Sequence, residues 1–483
     1  MVYKDCGCKS YEGDFYGDLK HGEGVEVYCN EEGYSGAFRS NKKDGSGVYT
    51  FANGDVYSGN FENEMKCGDG KLWICETDDI LVGVWMFDDI SKIDPVQYCY
   101  KNGDVYTGLY NFEDGQLNGE GQMDFAEGDS YVGFFIKNCM VGQGKYAYEN
   151  GAYYVGSFRE NQFNGAGKFY YSSGVLKYDG NFVNNSKEGL GKYYYEDGGL
   201  CYSGEWKKDK KSGAGKYFFQ GGNLWYQGNS LNDLPEGQGR VFDEETGNMS
   251  YSGEFIKGEP YGKGISYHSD LDGLTIAYEG SWKLGDKSGK GQEFNEEGLL
   301  VYDGAFMNGL REGKGKEFYV ESGKILYDGP FINGLRHGYG RKFYGDGVLW
   351  YEGYFYNGEQ NGTGKFFNKT GVLTYEGENR NHRAHGKGKY FHGNGKIWFE
   401  GEYKDGLPHG KGKEFYEDGS LSYIGECEGG KPCGKGKAYR QNGRLEYEGA
   451  YRGGKPNGKG KKYDDDGKLV HEGNFVDGFL EGS

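Results

Sequence analysis

The chain has 483 residues, of which 93 are glycine, 7 proline, 46 tyrosine, 30 phenylalanine and 7 tryptophan, and its formal charge is −18. So little proline excludes a collagen-like chain or a proline-rich linker, and tyrosine recurring at fixed positions supplies the buried surface that a disordered chain would lack. No run approaches the roughly 18 apolar residues of a membrane-spanning helix, and a pI near 5.1 speaks against nucleic acid as a partner.

Residues 1–10 form a short leader. Its M-V-Y-K-D start has no apolar signal core, Val2 stands where myristoylation needs glycine, and Cys6 and Cys8 read as reduced thiols rather than acylation sites. The ten cysteines show neither C-x-x-C nor repeating pairs, so no disulfide framework or zinc site is expected. These features predict a reduced, cytoplasmic protein.

From Tyr11 onward a Y-x-G tripeptide recurs. It starts at Tyr11, Tyr34, Tyr57, Leu81 (aromatic lost), Tyr106, Tyr131, Tyr154, Tyr178, Tyr202 and Tyr226. It continues at Tyr251, Tyr278, Tyr302, Tyr327, Tyr351, Tyr375, Phe399, Tyr423, Tyr447 and His471. The twenty starts lie 23 to 27 residues apart, most often 24. A fixed period of this size marks a stacked repeat array, so residues 11–483 read as one continuous array with no room for a separate domain.

Each repeat opens on strict alternation, as in Tyr57-Gly59-Phe61 and Tyr202-Gly204-Trp206, which predicts a strand with aromatics and glycine on one face. A polar turn such as Asn308-Gly309 follows. Next comes a return strand built on G-x-G, such as Gly167-Lys168-Phe169-Tyr170-Tyr171. A second turn closes the unit at Asn53-Gly54, Asp197-Gly198 or Asp418-Gly419. Asn-Gly and Asp-Gly favour tight hairpins because both central residues can take positive φ. Each repeat is therefore a β-hairpin, and the fold class is all-β: a single-layer antiparallel meander of about twenty hairpins. Glycine in mid-strand is costly unless an aromatic ring lies over the bare backbone it leaves.

The charge changes along the array. Residues 1–150 carry 12 basic and 27 acidic side chains, residues 151–300 carry 16 and 21, and residues 301–483 carry 28 and 26. The fourth repeat, about 81–105, lacks G-x-G and carries D-D-I-S-K-I-D-P instead, so a sheet edge or kink is expected there. The eleventh repeat, from Tyr251, is the longest, and its S-D-L-D-G-L-T insertion reads as a longer loop. Early repeats place aromatics two and four residues after G-x-G, as at Tyr49 and Phe51. Late-type repeats, about 302–483, favour the third position, as at Phe415, Tyr439 and Tyr463. A one-residue shift changes the face of a side chain, so a bulge is expected to absorb it.

No catalytic, cofactor or metal residues emerge. The G-x-G-K sequences are never followed by Ser or Thr, as a phosphate loop requires. His21, His337, His385 and His409 all sit just before G-x-G and read as turn residues. The cluster His382, His385 and His392 has no Cys or spaced carboxylates beside it. Asp464-Asp465-Asp466-Gly467 lacks the bidentate Glu of a calcium loop, with Gly473 in its place. The most regular charged feature follows G-x-G directly: Lys168, Lys192, Lys216, Arg240, Lys316, Arg341, Lys365, Lys389, Lys413, Lys437 and Lys461. Stacking makes these a basic row. It can serve anionic lipid headgroups or an acidic partner, or it can pair with the acids inside Y-E-G, such as Glu352, Glu376 and Glu448.

Y-E-G-x-F/W-x-x-G-x-x-H-G-x-G followed by an aromatic strand and D-G resembles the MORN (membrane occupation and recognition nexus) repeat. Gly401 to Gly412, G-E-Y-K-D-G-L-P-H-G-K-G, is close to the family consensus, and the late N-G-x-L-x-Y-E-G units are similar to its second subtype. The resemblance covers residues 11 to about 481. The departures are Leu81, His471, the missing G-x-G of the fourth repeat and Cys427 in an aromatic position. The resemblance implies an elongated twisted meander, about 190 Å long if nearly straight. It also implies a non-enzymatic scaffold for protein partners, cytoskeletal or ciliary, with a phospholipid-binding membrane adaptor as the alternative. The unpaired strand expected after His471 predicts self-association through that edge.

Overall fold

The computed structural model describes residues 8–111, 113–269 and 274–482. Most of the leader, with Cys6, and the centre of the S-D-L-D-G-L-T insertion lie outside the described residues. Among the described residues there are 42 strands and no helix. The chain forms two compact units, residues 1–234 and 235–483. Within each, consecutive strands pair antiparallel in a single-layer meander, as the repeat pattern predicts.

The repeat from Tyr302 shows how its residues dictate the hairpin. Strands Leu300–Met307 and Leu310–Phe318 are joined by Asn308 (φ 50°) and Gly309 (φ 78°), the two left-handed positions of a type I′ turn. Gly304 stands directly opposite Gly315, whereas Phe306 stands opposite Arg311. Three residues, 312–314, therefore face Ala305 alone. This bulge holds the first glycine of G-x-G, Gly313, at φ 69°. The two glycines of G-x-G do different work: the first turns the bulge, and the second lies bare under a ring. A Cβ on Gly315 would stand 2.5 Å from Tyr302 Cζ and 2.6 Å from Cε2. The ring lies over both opposed glycines, and Tyr302 Oη donates to the Ala305 carbonyl at 3.0 Å. The same phenol-to-carbonyl bond recurs from Tyr11 to Tyr447.

The second turn differs from expectation. At Tyr195–Gly199, Gly198 N–H donates to the Tyr195 carbonyl (3.0 Å) and Tyr195 N–H to the Gly199 carbonyl (2.8 Å). Only Gly198 takes positive φ (92°). It is a three-residue loop with one left-handed glycine, so Asp197 is free to cap the turn: its Oδ1 accepts from Gly199 N–H at 2.8 Å.

The buried tyrosines and phenylalanines form an edge-to-face row. In the second unit Phe306 meets both Tyr278 and Tyr302, and Phe331 meets both Tyr302 and Tyr327, with centroids 5.1–5.2 Å apart and planes at 82–88°. Such pairs add about 0.5–1.5 kcal/mol each beyond the area they bury. The row changes hands where the second aromatic is missing. Ser230 is buried beneath Tyr217, which reaches across from the partner strand, packs 4.7 Å from Tyr202 and donates Oη to Ser230 Oγ at 2.8 Å. At Asn379 the gap is closed by Phe366 and Tyr390, and Asn379 Nδ2 donates to the Gly362 carbonyl at 2.8 Å. Cys427 is buried, and that burial pushes its thiol up to about 12. Alkylation by iodoacetamide at pH 8 is therefore expected to label exposed Cys75 readily and Cys427 only after unfolding, read by peptide mass mapping.

The fourth repeat stays in the ladder. Val96–Cys99 pairs with Asp79–Met86 on one side and Val105–Asn111 on the other, so there is no sheet edge here. Pro95 falls just before that strand and costs it no donor. With Tyr replaced by Leu81, Ile90 and Val96 cover Gly83. The expected bulge between repeats is present. Phe169 pairs with Tyr178 and Tyr170 with Leu176, leaving Lys177 as the extra residue. It first enters there, ahead of Tyr302 where the aromatic positions change, and recurs through the last pairing at Lys462/Tyr463.

A chain of ion pairs covers part of the aromatic row in the second unit. Glu293 accepts from Lys287 (2.6 Å) and Arg311 (2.9 Å), and Glu317 accepts from Arg311 (2.8 Å) and Arg336 (2.6 Å). Burial works against the charge on Glu293, but its two cations prevail and hold the carboxyl below its usual range. A folded pKa below the unfolded one means stabilisation present above about pH 4.5 and lost as pH falls through the folded value. The second unit is expected to lose stability as pH falls below about 4.5, and Glu293→Gln to flatten that dependence.

Candidate interaction faces

The strands present two faces. One bears the tyrosine row. The other bears the basic row. On this second face the structure brings the predicted cations next to acids on the following strand: Lys168–Asp179 (3.7 Å), Arg341–Glu352 (3.2 Å), Lys365–Glu376 (3.3 Å), Lys389–Glu400 (3.1 Å), Lys437–Glu448 (2.6 Å) and Lys461–Glu472 (3.1 Å). Hydrogen bonding to Glu448 and Glu472 raises the ammonium pKa of Lys437 and Lys461. Lys192 and Lys316 stand opposite Asp179 and Asp328, Lys216 opposite Ser203 and Gln227, Arg240 opposite Ser252, and Lys413 opposite Ile424. The paired members form a row of exposed ion pairs, each worth at most about 1 kcal/mol.

The aromatic face carries a second row of cations, which the sequence reading missed. Two residues before G-x-G stand Lys20, Lys43, Lys66, Lys187, Lys211, Lys287, Arg311 and Arg336. Each lies over a tyrosine of the buried row at 4.5–5.8 Å. Three consecutive repeats of the first unit break this rule: the residues there are Leu117, Met140 and Phe163. Without cations spanning the tyrosines, the face opens into a groove of about 800 Å³. Its walls include Phe125, Met140, Tyr146, Tyr148, Phe163 and Phe169, with Lys177, Lys187 and Asp209 toward one end. Phe163 stacks on Tyr154 at 3.9 Å. Burial raises the phenol pKa of both Tyr146 and Tyr148, and Asp129, bonded by Tyr146 Oη at 2.7 Å, adds to it. The signal was available in the sequence: three successive apolar residues at a position that is basic in eight other repeats.

Among the described residues no group of three or more His, Cys, Asp or Glu could hold a metal ion. Among the same residues no helix is long and apolar enough to cross a membrane. His268 and His392 place Nε2 3.0 Å from the strand-end carbonyls of Phe294 and Phe415 in the next repeat, the place Tyr171 and Tyr195 fill elsewhere with Oη.

The MORN repeat model matches residues 11–31, 34–56, 111–130, 131–153, 154–175, 178–200, 202–224 and 226–241 in the first half, the last crossing into the second unit. It further matches 251–272, 278–294, 302–323, 327–348, 351–371, 399–421, 423–443 and 447–468, and the MORN repeat variant matches 384–405. The unit around Cys427 is among those matched. No curated protein matches the chain. Solved structures similar to it include the SAS-4 (dCPAP) TCP domain in complex with a proline-rich motif of Ana2 (dSTIL) of Drosophila melanogaster. That one is 13% identical, covers 32% of this chain and 82% of the other, and has a TM-score of 0.23. Another is the TCP10 domain of Danio rerio CPAP in complex with a peptide of Danio rerio STIL, 13% identical over 51% and 100% of the two chains, with a TM-score of 0.25. At scores this low the likeness carries nothing further. With repeat matches spread over most of its length, the chain belongs to the MORN repeat family.

Proposed function

We propose that this protein is a non-enzymatic scaffold that holds an extended, apolar-rich segment of a partner protein in the aromatic groove of its first unit. MORN repeats are generally protein or lipid interaction modules. The observation that carries the protein reading is the run Leu117, Met140 and Phe163, beside which aromatic side chains surround an open groove, where eight other repeats place a cation over the row. Aromatic-lined grooves suit extended segments because rings give large contact area at small entropic cost. Family membership favours a cytoskeletal or ciliary partner and a cytoplasmic location. The lipid alternative draws on the basic row, and the ion pairs along that row weigh against it.

The test is recovery of partners from cytoskeletal fractions by the full chain. Met140→Lys with Phe163→Lys restores the cations of the neighbouring repeats and is expected to lower recovery at least tenfold with the thermal unfolding midpoint preserved. Equal recovery by both forms would rule the groove out as the docking site.

A further inference from the structure

The ion-pair row on the face opposite the tyrosines has one gap in its last stretch. From Arg341 onward each cation after G-x-G bridges to the acid in the next Y-E-G, except Lys413. Lys413 stands between Ile424, where the acid is missing, and Glu400, whose carboxylate is taken by Lys389 at 3.1 Å. At the same place the central residue of G-x-G is lysine both on Lys413's own strand, Lys411, and on the next return strand, Lys435. The three amines line one trough of about 410 Å³, whose floor is Gly412, Ile424 and Gly425. Among the described residues none of the three makes an ion pair. Glu426, also in the lining, is turned onto the bulge glycine Gly434. Where the row lacks an acid elsewhere, fewer cations gather: Lys216 has Ala214 and Gln238 at the central G-x-G positions beside it, and Arg240 has Gln238 and Lys263, so one and two cations are left.

We propose that this trough is a binding site for one phosphate monoester, presented on a side chain of a protein partner. A phosphate monoester carries close to two negative charges and three acceptor oxygens at neutral pH. Three ammonium groups around a small apolar floor supply matching donors, and of the two carboxylates in the lining Glu400 is paired with Lys389 and Glu426 is turned onto Gly434. A membrane surface is the poorer fit. Spread over the row it meets Glu400, Glu448 and Glu472 as often as it meets lysine, whereas a single phosphoryl group meets only the uncompensated patch. The site uses none of the residues of the aromatic groove and stands or falls apart from it.

The test is fluorescence polarisation of the full chain with a labelled glycine–serine heptapeptide bearing one central phosphoserine, against its unphosphorylated twin. Co-sedimentation with phosphatidylserine–phosphoinositide vesicles runs in parallel. At low salt the phosphopeptide is expected to bind at least tenfold more tightly than the twin. Ile424→Glu installs the acid of the neighbouring repeats and is expected to reduce that binding at least tenfold at an unchanged unfolding midpoint. Glu448→Ile frees Lys437 between Lys435 and Lys459 and is expected to strengthen it. Equal binding of the two peptides, or an unaffected Ile424→Glu variant, overturns the site. Vesicle binding lost in Ile424→Glu without any preference between the peptides overturns the partner-side-chain assignment in favour of a headgroup.

Discussion

Phe331→Ala is expected to destabilise the second unit by about 3–5 kcal/mol, the range for emptying a buried phenylalanine site. Phe331 is 1% exposed and presents its edges to two tyrosines, Tyr302 and Tyr327, at 5.2 Å each. Truncation removes both ring contacts and leaves a void that the ladder of paired strands cannot collapse, because strand spacing is set by backbone hydrogen bonds. Each repeat touches only its neighbours, so the loss should be local. Native-state hydrogen exchange checks this: amides of Leu310–Phe318 and Ile325–Ile332 should lose protection first, while those of Ile397–Lys404 keep theirs. Uniform loss throughout the unit would show that the array is more cooperative than the contacts imply.

Gly315→Ala ranks next, at about 1–3 kcal/mol for forcing atoms into a filled site. A methyl there collides with Tyr302, which is fully buried and tied to the Ala305 carbonyl. The phenol cannot swing out without breaking that bond and disturbing its packing against Phe306 and Phe331. Two residues earlier, Gly313→Ala meets a different obstacle: a methyl there makes only ordinary contact with Ala305 Cβ at 3.7 Å, but its φ of 69° costs an L-residue about 1–2 kcal/mol. Pairing each with Tyr302→Ala separates the two. Removing the ring should rescue Gly315→Ala and leave the penalty of Gly313→Ala unchanged, read from denaturant midpoints.

Much of this architecture is legible because Y-x-G-x-F alternates with period two and cannot be read as a helix. The hairpins, the aromatic face, the bulge between repeats and the charge row all follow from that spacing. Other features need the register across a bulge, which one strand's sequence does not contain. Tyr217 filling the place of Ser230 is one case, since its ring belongs to the opposite strand. The groove at Leu117, Met140 and Phe163 is another. Those residues look like ordinary apolar strand positions until the tyrosines that cations cover in neighbouring repeats are seen beside them. The second turn was misread because Asp-Gly serves two loop types, and only the chain length between paired residues tells them apart.

The tyrosine row also makes the molecule an optical conductor. Phenols and phenyls stand edge to face about 5 Å apart, and Trp206 in the first unit and Trp282 in the second each contact two of the row's tyrosines. Excitation absorbed by tyrosine can hop along such a row until an indole captures it. Light emitted by the folded units should therefore come from indole even when phenol is excited, and each tryptophan reports whether the repeats beside it are still stacked.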